Sequence, residues 1–317
     1  MKKKILLILI PVIILSSSIF AYKYHRYISL GKELENACFE YSKDRKYEDD
    51  PNDRITFTDI LAPLSDEPYV DELAKYPLKT KEEKELEAKH IVELIEMGAN
   101  INSHDNFYKF TPLAGVVSAN DLKLTELLIK RGAQVNAKNI NGYTPIFAAE
   151  SPEMIKLLIK YGADVNAKDN NNRTALEYEI LFGNYELAQV YINNGTNLNT
   201  YVSNGRTSLH TALTKTGTTD GSEPSEKIDI ARYKIAKLLI EKGANINAIN
   251  DSHETPLNWA VDTSNIRGVK LLVEHKADIN IKDNDGKTPY DLTEALYYRD
   301  KKAALEIRQI LKSAGYK

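Results

Sequence analysis

The side chains able to do chemistry are scattered along this sequence. Its six histidines are His25, His90, His104, His210, His253 and His275. Zinc held on a helix asks for two of them three or four positions apart, and none has such a neighbour. His253-Glu254 lacks the second histidine of a zinc-protease helix. The single cysteine, Cys38, has no partner for an intrachain disulfide and no surroundings that would make it a nucleophile. Neither a phosphate-cradling glycine loop nor a Gly-x-Ser-x-Gly elbow occurs. Carboxylates recur at Asp164, Asp169, Asp278 and Asp283, at turn positions where they serve as caps for backbone N–H groups. No set of residues fills the roles of a catalytic site, and the expectation is no enzyme activity, no metal and no cofactor.

What recurs is punctuation. Thr-Pro or a close variant stands at Thr111-Pro112, Thr144-Pro145, Thr174-Ala175, Thr207-Ser208, Thr255-Pro256 and Thr288-Pro289, in steps of 33, 30, 33, 48 and 33 residues. A second mark runs Gly98-Ala99-Asn100-Ile101-Asn102, Gly132-Ala133-Gln134-Val135-Asn136 and Gly162-Ala163-Asp164-Val165-Asn166. It continues at Gly195-Thr196-Asn197-Leu198-Asn199, Gly243-Ala244-Asn245-Ile246-Asn247 and Lys276-Ala277-Asp278-Ile279-Asn280. The first mark precedes the second by 21 residues from Thr111, Thr174 and Thr255, by 18 from Thr144 and by 36 from Thr207. The deletion of three and the insertion of fifteen are expected in a surface loop.

These marks are helix signals. Threonine caps a helix start, and proline suits the first helical position. Leu113-Ala114 and then Leu124, Leu127 and Leu128 are spaced for two short one-sided helices. Glycine ends the second helix in a left-handed conformation that costs a side chain about 1 kcal/mol. Lys276 departs from this, which predicts a strained or re-routed end. Asn141-Gly142, Asn204-Gly205 and Asp285-Gly286 are pairs for tight hairpin tips.

On these residues the chain resembles the ankyrin-repeat family over roughly residues 80–317. The resemblance implies an all-α solenoid of stacked helix-turn-helix repeats with β-turn fingers. Only Thr207-Ser208-Leu209-His210 keeps the family's histidine; Asn258 and Asp291 stand in its place elsewhere. It also implies binding of a partner protein through the finger tips and first helices, on the concave face. Carried onto this chain, those positions are Phe107, Tyr108, Phe110, Ile140, Tyr143, Arg173, Arg206, His253 and Lys287 on fingers, and Tyr178, Phe182 and Trp259 on first helices. Aromatic residues and arginine dominate interface energies. Each of them could instead pack between neighbouring units.

Around the array the reading is as follows. A half-repeat cap spans 80–102, opened by Thr80-Lys81-Glu82-Glu83 and burying Leu86, Ile91, Leu94 and Ile95. Six repeats start near 106, 139, 169, 202, 250 and 283, the last closing with a helix over 301–313 that buries Ala304, Ile307, Ile310 and Leu311. The insert at 215–227 has the composition of a solvated loop. Residues 29–79 form a helical and irregular region: Leu30, Leu34, Cys38 and Tyr41 have helical spacing, and Ile55, Phe57, Ile60, Leu61 and Leu64 are too apolar for a spacer.

Residues 1–28 read as a signal peptide or a single transmembrane anchor. Lys2, Lys3 and Lys4 precede the apolar run from Ile5 to Leu15, and small residues follow. From Ile5 to Ala21 is 17 residues, at the lower limit for a span. Ile19 weakens a cleavage site, and Tyr22, Tyr24 and Tyr27 with Lys23 and Arg26 resemble an interfacial girdle, which favours the anchor over cleavage. Either way the chain is exported. The lysines hold the terminus in the cytoplasm, giving an inner-membrane anchor with a periplasmic repeat domain, or a periplasmic or secreted protein after cleavage. A net charge of −3, with 42 basic and 45 acidic residues, argues against nucleic acid. The expected role is an inhibitor or immunity protein, with a membrane-tethered scaffold or a secreted effector that binds host proteins as alternatives.

Overall fold

The structure is a computed structural model and describes residues 81–104, 109–215 and 226–316. In chain order it holds α1 (Lys81–Glu96), α2 (Pro112–Ser118), α3 (Leu122–Lys130), a 3₁₀ turn (Pro145–Ala148), α4 (Pro152–Lys160), α5 (Ala175–Phe182) and α6 (Tyr185–Asn193). Then follow α7 (Ser208–Ala212), α8 (Glu226–Glu241), α9 (Pro256–Asp262), α10 (Ile266–Glu274), α11 (Pro289–Arg299) and α12 (Lys301–Ser313). The pattern is a helix pair per repeat. First helices pack in one layer, α2 on the 3₁₀ turn and α5, α7, α9 and α11 in succession; second helices pack in the other, α3, α4, α6, α8, α10 and α12 in succession.

The threonine marks start helices as expected. Thr111, Thr174, Thr255 and Thr288 lie in extended backbone and accept the amide three residues on at 3.2 to 3.4 Å. The residues standing in for histidine do its work. Thr255 N donates to Asn258 Oδ1 at 3.2 Å, Thr288 N to Asp291 Oδ2 at 2.9 Å, and Thr207 N to His210 Nδ1 at 3.2 Å. Two residues on from Thr288, Tyr290 is half-buried; two on from the other five threonines, Leu113, Ile146, Leu176, Leu209 and Leu257 are fully buried. Four residues before each glycine mark, so are Leu94, Leu128, Leu158, Tyr191 and Leu239. These two positions make the seam between the layers.

The second mark also joins repeats. The last asparagine of the mark accepts an amide from the next unit: Asn102 from Gln134, Asn136 from Asp164, Asn166 from Asn197, Asn199 from Asn245 and Asn247 from Asp278, each at 2.8 or 2.9 Å. The fingers stack by backbone as well, with Asn170 N on Asn141 O, Asp251 N on Asn204 O and Asn284 N on Ser252 O. This explains two of the tip glycines. A Cβ at Gly142 would lie 2.8 Å from Asn170 Oδ1, and one at Gly205 would lie 2.7 Å from Asp251 N.

Several expectations change. The three-residue deletion falls in a helix, not a loop: the second repeat keeps only the 3₁₀ turn where its neighbours have an α-helix. Tyr191 compensates, standing where other units have leucine and donating its buried hydroxyl to Ile146 O at 3.0 Å. Part of the insertion is also helical. Glu226 and Lys227 belong to α8, which has 16 residues against nine in α4, while residues 216–225 lie outside the described part. Leu86 is 68% exposed although Ile91 and Leu94 are buried and Ile95 is half-buried. Five residues from Ile91 is about 140° round a helix, off the buried stripe.

Lys276 is strained and not re-routed. Its φ is +63°, its N–H meets Val273 O at 3.0 Å, and Ala277 N meets Leu272 O at 2.9 Å. Gly243 closes its helix with the same two bonds. Lys276→Gly is therefore expected to stabilise the chain by about 0.5–1 kcal/mol, read as a higher urea midpoint at unchanged slope. At the rear end α12 buries Ala304, Ile307 and Leu311, with Ile310 half-buried. Tyr290, at the place of a core leucine, is covered by Tyr316, stacked 4.3 Å away, and by Arg308. That closes the array with a polar outer face.

The candidate anchor at 1–28, the region 29–79 and Thr80 lie outside the described residues. Among the described residues, no helix is long and apolar enough to cross a membrane, and no cluster of His, Cys, Asp and Glu could hold a metal.

Candidate protein-binding surface

The carboxylates of the fingers are structural. Asp169 Oδ1 accepts the amides of Asn171 and Arg173, both at 2.8 Å. Asp283 does the same for Asp285 and Lys287, and Asp164 and Asp278 each cap the amide two residues on. The turn-cap reading of all four therefore holds.

From this frame the aromatic residues divide in two. Tyr143 and Tyr178 point inward, with 5% and 7% exposure. Tyr143 Oη lies 2.9 Å from Tyr178 Oη, and Tyr178 donates to Asp169 Oδ2 at 2.6 Å. Burial raises the pKa of both hydroxyls, and for Tyr178 the bond to Asp169 adds to it, because the phenol must keep its proton to donate. Packing, not partner contact, is thus their role. The sequence reading missed Phe147, whose ring packs against both, 5.1 Å from Tyr143 and 6.2 Å from Tyr178. Its signal is its place on the shortened first helix. Phe182 stacks on Tyr178 at 6.4 Å and is half-buried.

Of the outward group, Arg173 keeps contact with this block. Arg173 lies over the Tyr178 ring at 5.8 Å and Arg206 over the Trp259 ring at 5.0 Å, all but Tyr178 half-buried. Trp259 Nε1 reaches back one repeat to Thr214 Oγ1 at 2.8 Å, so its ring plane is fixed. Ile140 is 48% exposed. His253 takes the left-handed tip position at φ +60°, with Nδ1 2.8 Å from Lys282 O, and Lys287 is exposed beside it. Phe110 is half-buried beside Thr111 and Tyr143. Phe107 and Tyr108 lie outside the described residues. Unforeseen on the same edge are Lys138, Lys168 and Tyr201, which share one place in successive fingers; comparing the units place by place would have found them. A separate open groove of about 450 Å³ lies on the second-helix layer, between α1 and α3 and lined by Ala88, Val92, Leu124 and Leu127.

Stacked helix pairs that carry fingers along one edge define a repeat solenoid of the binding class. The family model for ankyrin repeats (3 copies) matches residues 85–169, 147–221 and 228–311, and that for a single ankyrin repeat matches 204–251. The chain belongs to the ankyrin-repeat family, whose repeats are protein–protein interaction modules and in general not enzymes.

Solved structures agree on the fold. An ankyrin repeat domain from Acinetobacter baumannii AYE is 26% identical with a TM-score of 0.53, covering 65% of this chain and 98% of its own. The ankyrin repeat domain of Bcl-3, a member of the IkappaB protein family, is 22% identical with a TM-score of 0.58, covering 71% of this chain and 91% of its own. The human ASB11 ankyrin repeat domain is 22% identical with a TM-score of 0.55, covering 73% and 94%. No curated protein sequence matches.

Proposed function

We propose that this chain is an exported, non-enzymatic binding protein that grips one partner protein along its fingers and first helices, on the concave face, and acts as an inhibitor or immunity protein. The observation that carries the reading is the ordered edge itself. Arg173 and Arg206 are held half-exposed over rings by cation–π contacts, and Trp259 is locked by a hydrogen bond. Groups fixed before binding lose little entropy on binding, and arginine and tryptophan are the side chains that anchor interfaces. A rigid surface of this kind suits occlusion of another protein's active site.

Export and the periplasmic location of the array rest on Lys2–Lys4 and the apolar run after them. A membrane-tethered scaffold, favoured by the aromatic and basic girdle after that run, is the second reading. Cross-linking and pull-down from the cell envelope separates them. One stoichiometric partner whose activity the array blocks supports inhibition; several unrelated housekeeping proteins support the scaffold. Fractionation with and without residues 1–28 tests location, and the native chain in the cytosol would overturn it.

A further inference from the structure

Several cations on the helices form ion pairs within the molecule, and others there lie over rings, as Lys234, Lys301 and Lys312 do. Lys130 and Lys160 flank Glu126 at 3.1 and 3.7 Å, Lys270 meets Glu306 at 2.7 Å, and Arg299 meets Asp262 at 2.6 Å. On the fingers of the second and third repeats the cations are held by carbonyls and a ring along one line. Lys138 sends Nζ to Lys168 O at 2.9 Å, and Lys168 sends Nζ to Tyr201 O at 3.0 Å. Each amine is thus pinned to the same place one repeat further on. A carbonyl uses one of three ammonium protons and none of the charge. Arg173 is held over Tyr178; the buried Glu177 feels its charge without forming an ion pair with it. Among the described residues, no carboxylate pairs with any of these three cations.

The stripe has ends. Ile140, 48% exposed, and Tyr201, 51% exposed, flank it. The fifth finger has Ile249 and Glu254 at the two cationic places and an exposed Asp251, and on the sixth the exposed Lys282 and Lys287 are offset by Asp283 and the exposed Asp285. Neighbouring helices stack about 8–10 Å apart, so the fingers of the second to fourth repeats span roughly 20 Å. An extended peptide covers that length in about six residues.

We propose that these fingers dock an acidic, extended segment of the partner protein, with carboxylates on Lys138, Lys168 and Arg173 and an apolar side chain at each end, against Ile140 and Tyr201. The proposal rests on the protein-binding reading above and adds the partner's charge. A nucleic acid fits less well, because the acidic fifth finger, with Asp251 exposed, would face its next phosphates.

The test uses the full chain in mild detergent and a fluorescein-labelled decapeptide of Glu and Asp with Leu at one end and Phe at the other. Fluorescence anisotropy is expected to show saturable binding that weakens as salt rises. Lys168→Glu/Arg173→Glu weakens it at least tenfold, Lys138→Glu alone several-fold, and Lys237→Glu on α8 less than twofold, with circular dichroism confirming that each variant is folded. Equal binding of a lysine decapeptide, indifference to the charge reversals, or tighter binding of a ten-nucleotide oligothymidine would each overturn the proposal. Capture of the native partner equally by wild type and the double variant sinks the stripe while leaving the protein-binding reading intact.

Discussion

Replacing Arg232 with alanine is expected to lower the stability of the central repeats by about 3 kcal/mol. Arg232 is 7% exposed and sits in α8. Aligned on the left-handed residue that ends each second helix, a glycine or Lys276, it occupies the place where α3, α4 and α10 have the N-caps Asp121, Ser151 and Asn265. The insertion carried α8 past that point, so a cap side chain no longer has free amides to serve. Arginine does a different job there. Its Nε donates to Ile180 O at 3.1 Å, Nη1 to Thr214 O at 3.2 Å and Nη2 to Leu181 O. These carbonyls come from the end of α5 and the segment after α7, so one side chain ties three elements. Burial lowers the guanidinium's pKa, against the opposing charges of Asp229 and Glu177. Each buried acceptor left unmet costs about 1–3 kcal/mol, partly recovered as water enters. Arg232→Met keeps the apolar stem and separates packing from hydrogen bonding. Urea unfolding measures the loss, and hydrogen exchange places it; unchanged protection in α5 and α8 would count against this account.

The repeat was legible in the sequence because its marks are local. A threonine that caps, a proline at the first helical position and a glycine at positive φ each state one geometry whatever surrounds them. The closing asparagine of the second mark was visible too, but its bond to the next repeat was not, since a hydrogen bond between units about thirty residues apart leaves no local trace. The same limit applied to the site. Tyr143 and Arg173 hold the same place before their threonines, yet one is buried and the other half-exposed. The difference comes from Tyr178, which offers Tyr143 a hydroxyl partner and Arg173 a ring face. Spacing also misjudged the deletion, because it counts residues and not turns. A first helix can lose a turn when a residue as large as Tyr191 fills the space left behind.

Acidification supplies the other large effect, through His210. This residue is completely buried, and its pKa is lowered from 6.5 to about 4, first by burial and then by the charge of Arg206, against the opposing bond to Glu254 O. The hydrogen bonds explain why the neutral ring is wanted. Nδ1 accepts from Thr207 N at 3.2 Å, which leaves Nε2 as the donor to Glu254 O at 3.1 Å. A proton on Nδ1 would remove the acceptor. The folded pKa is depressed, so the unfolded chain binds the proton more readily, and stability is full above pH 6.5 and falls as pH drops towards 4. The separation of 2.5 units between 6.5 and 4 amounts to about 3 kcal/mol at pH 4. Glu177, buried beside Ser208 and Thr211, works in the opposite direction. Burial raises its pKa, so its contribution is present at low pH and lost as pH rises through the folded value. The wild-type profile mixes the two, and a variant must separate them. His210→Asn copies Asn258 of the next repeat, which closes the same cap without a titrating ring. At pH 7 the variant should be less stable by about 1 kcal/mol, having lost the bond to Glu254 O. At pH 4 the order should reverse, with the gap between the two proteins shifting by about 3 kcal/mol in the variant's favour. Urea midpoints at pH 7, 5.5 and 4 read this directly, and parallel pH profiles for the two proteins would mean that His210 is charged inside the fold.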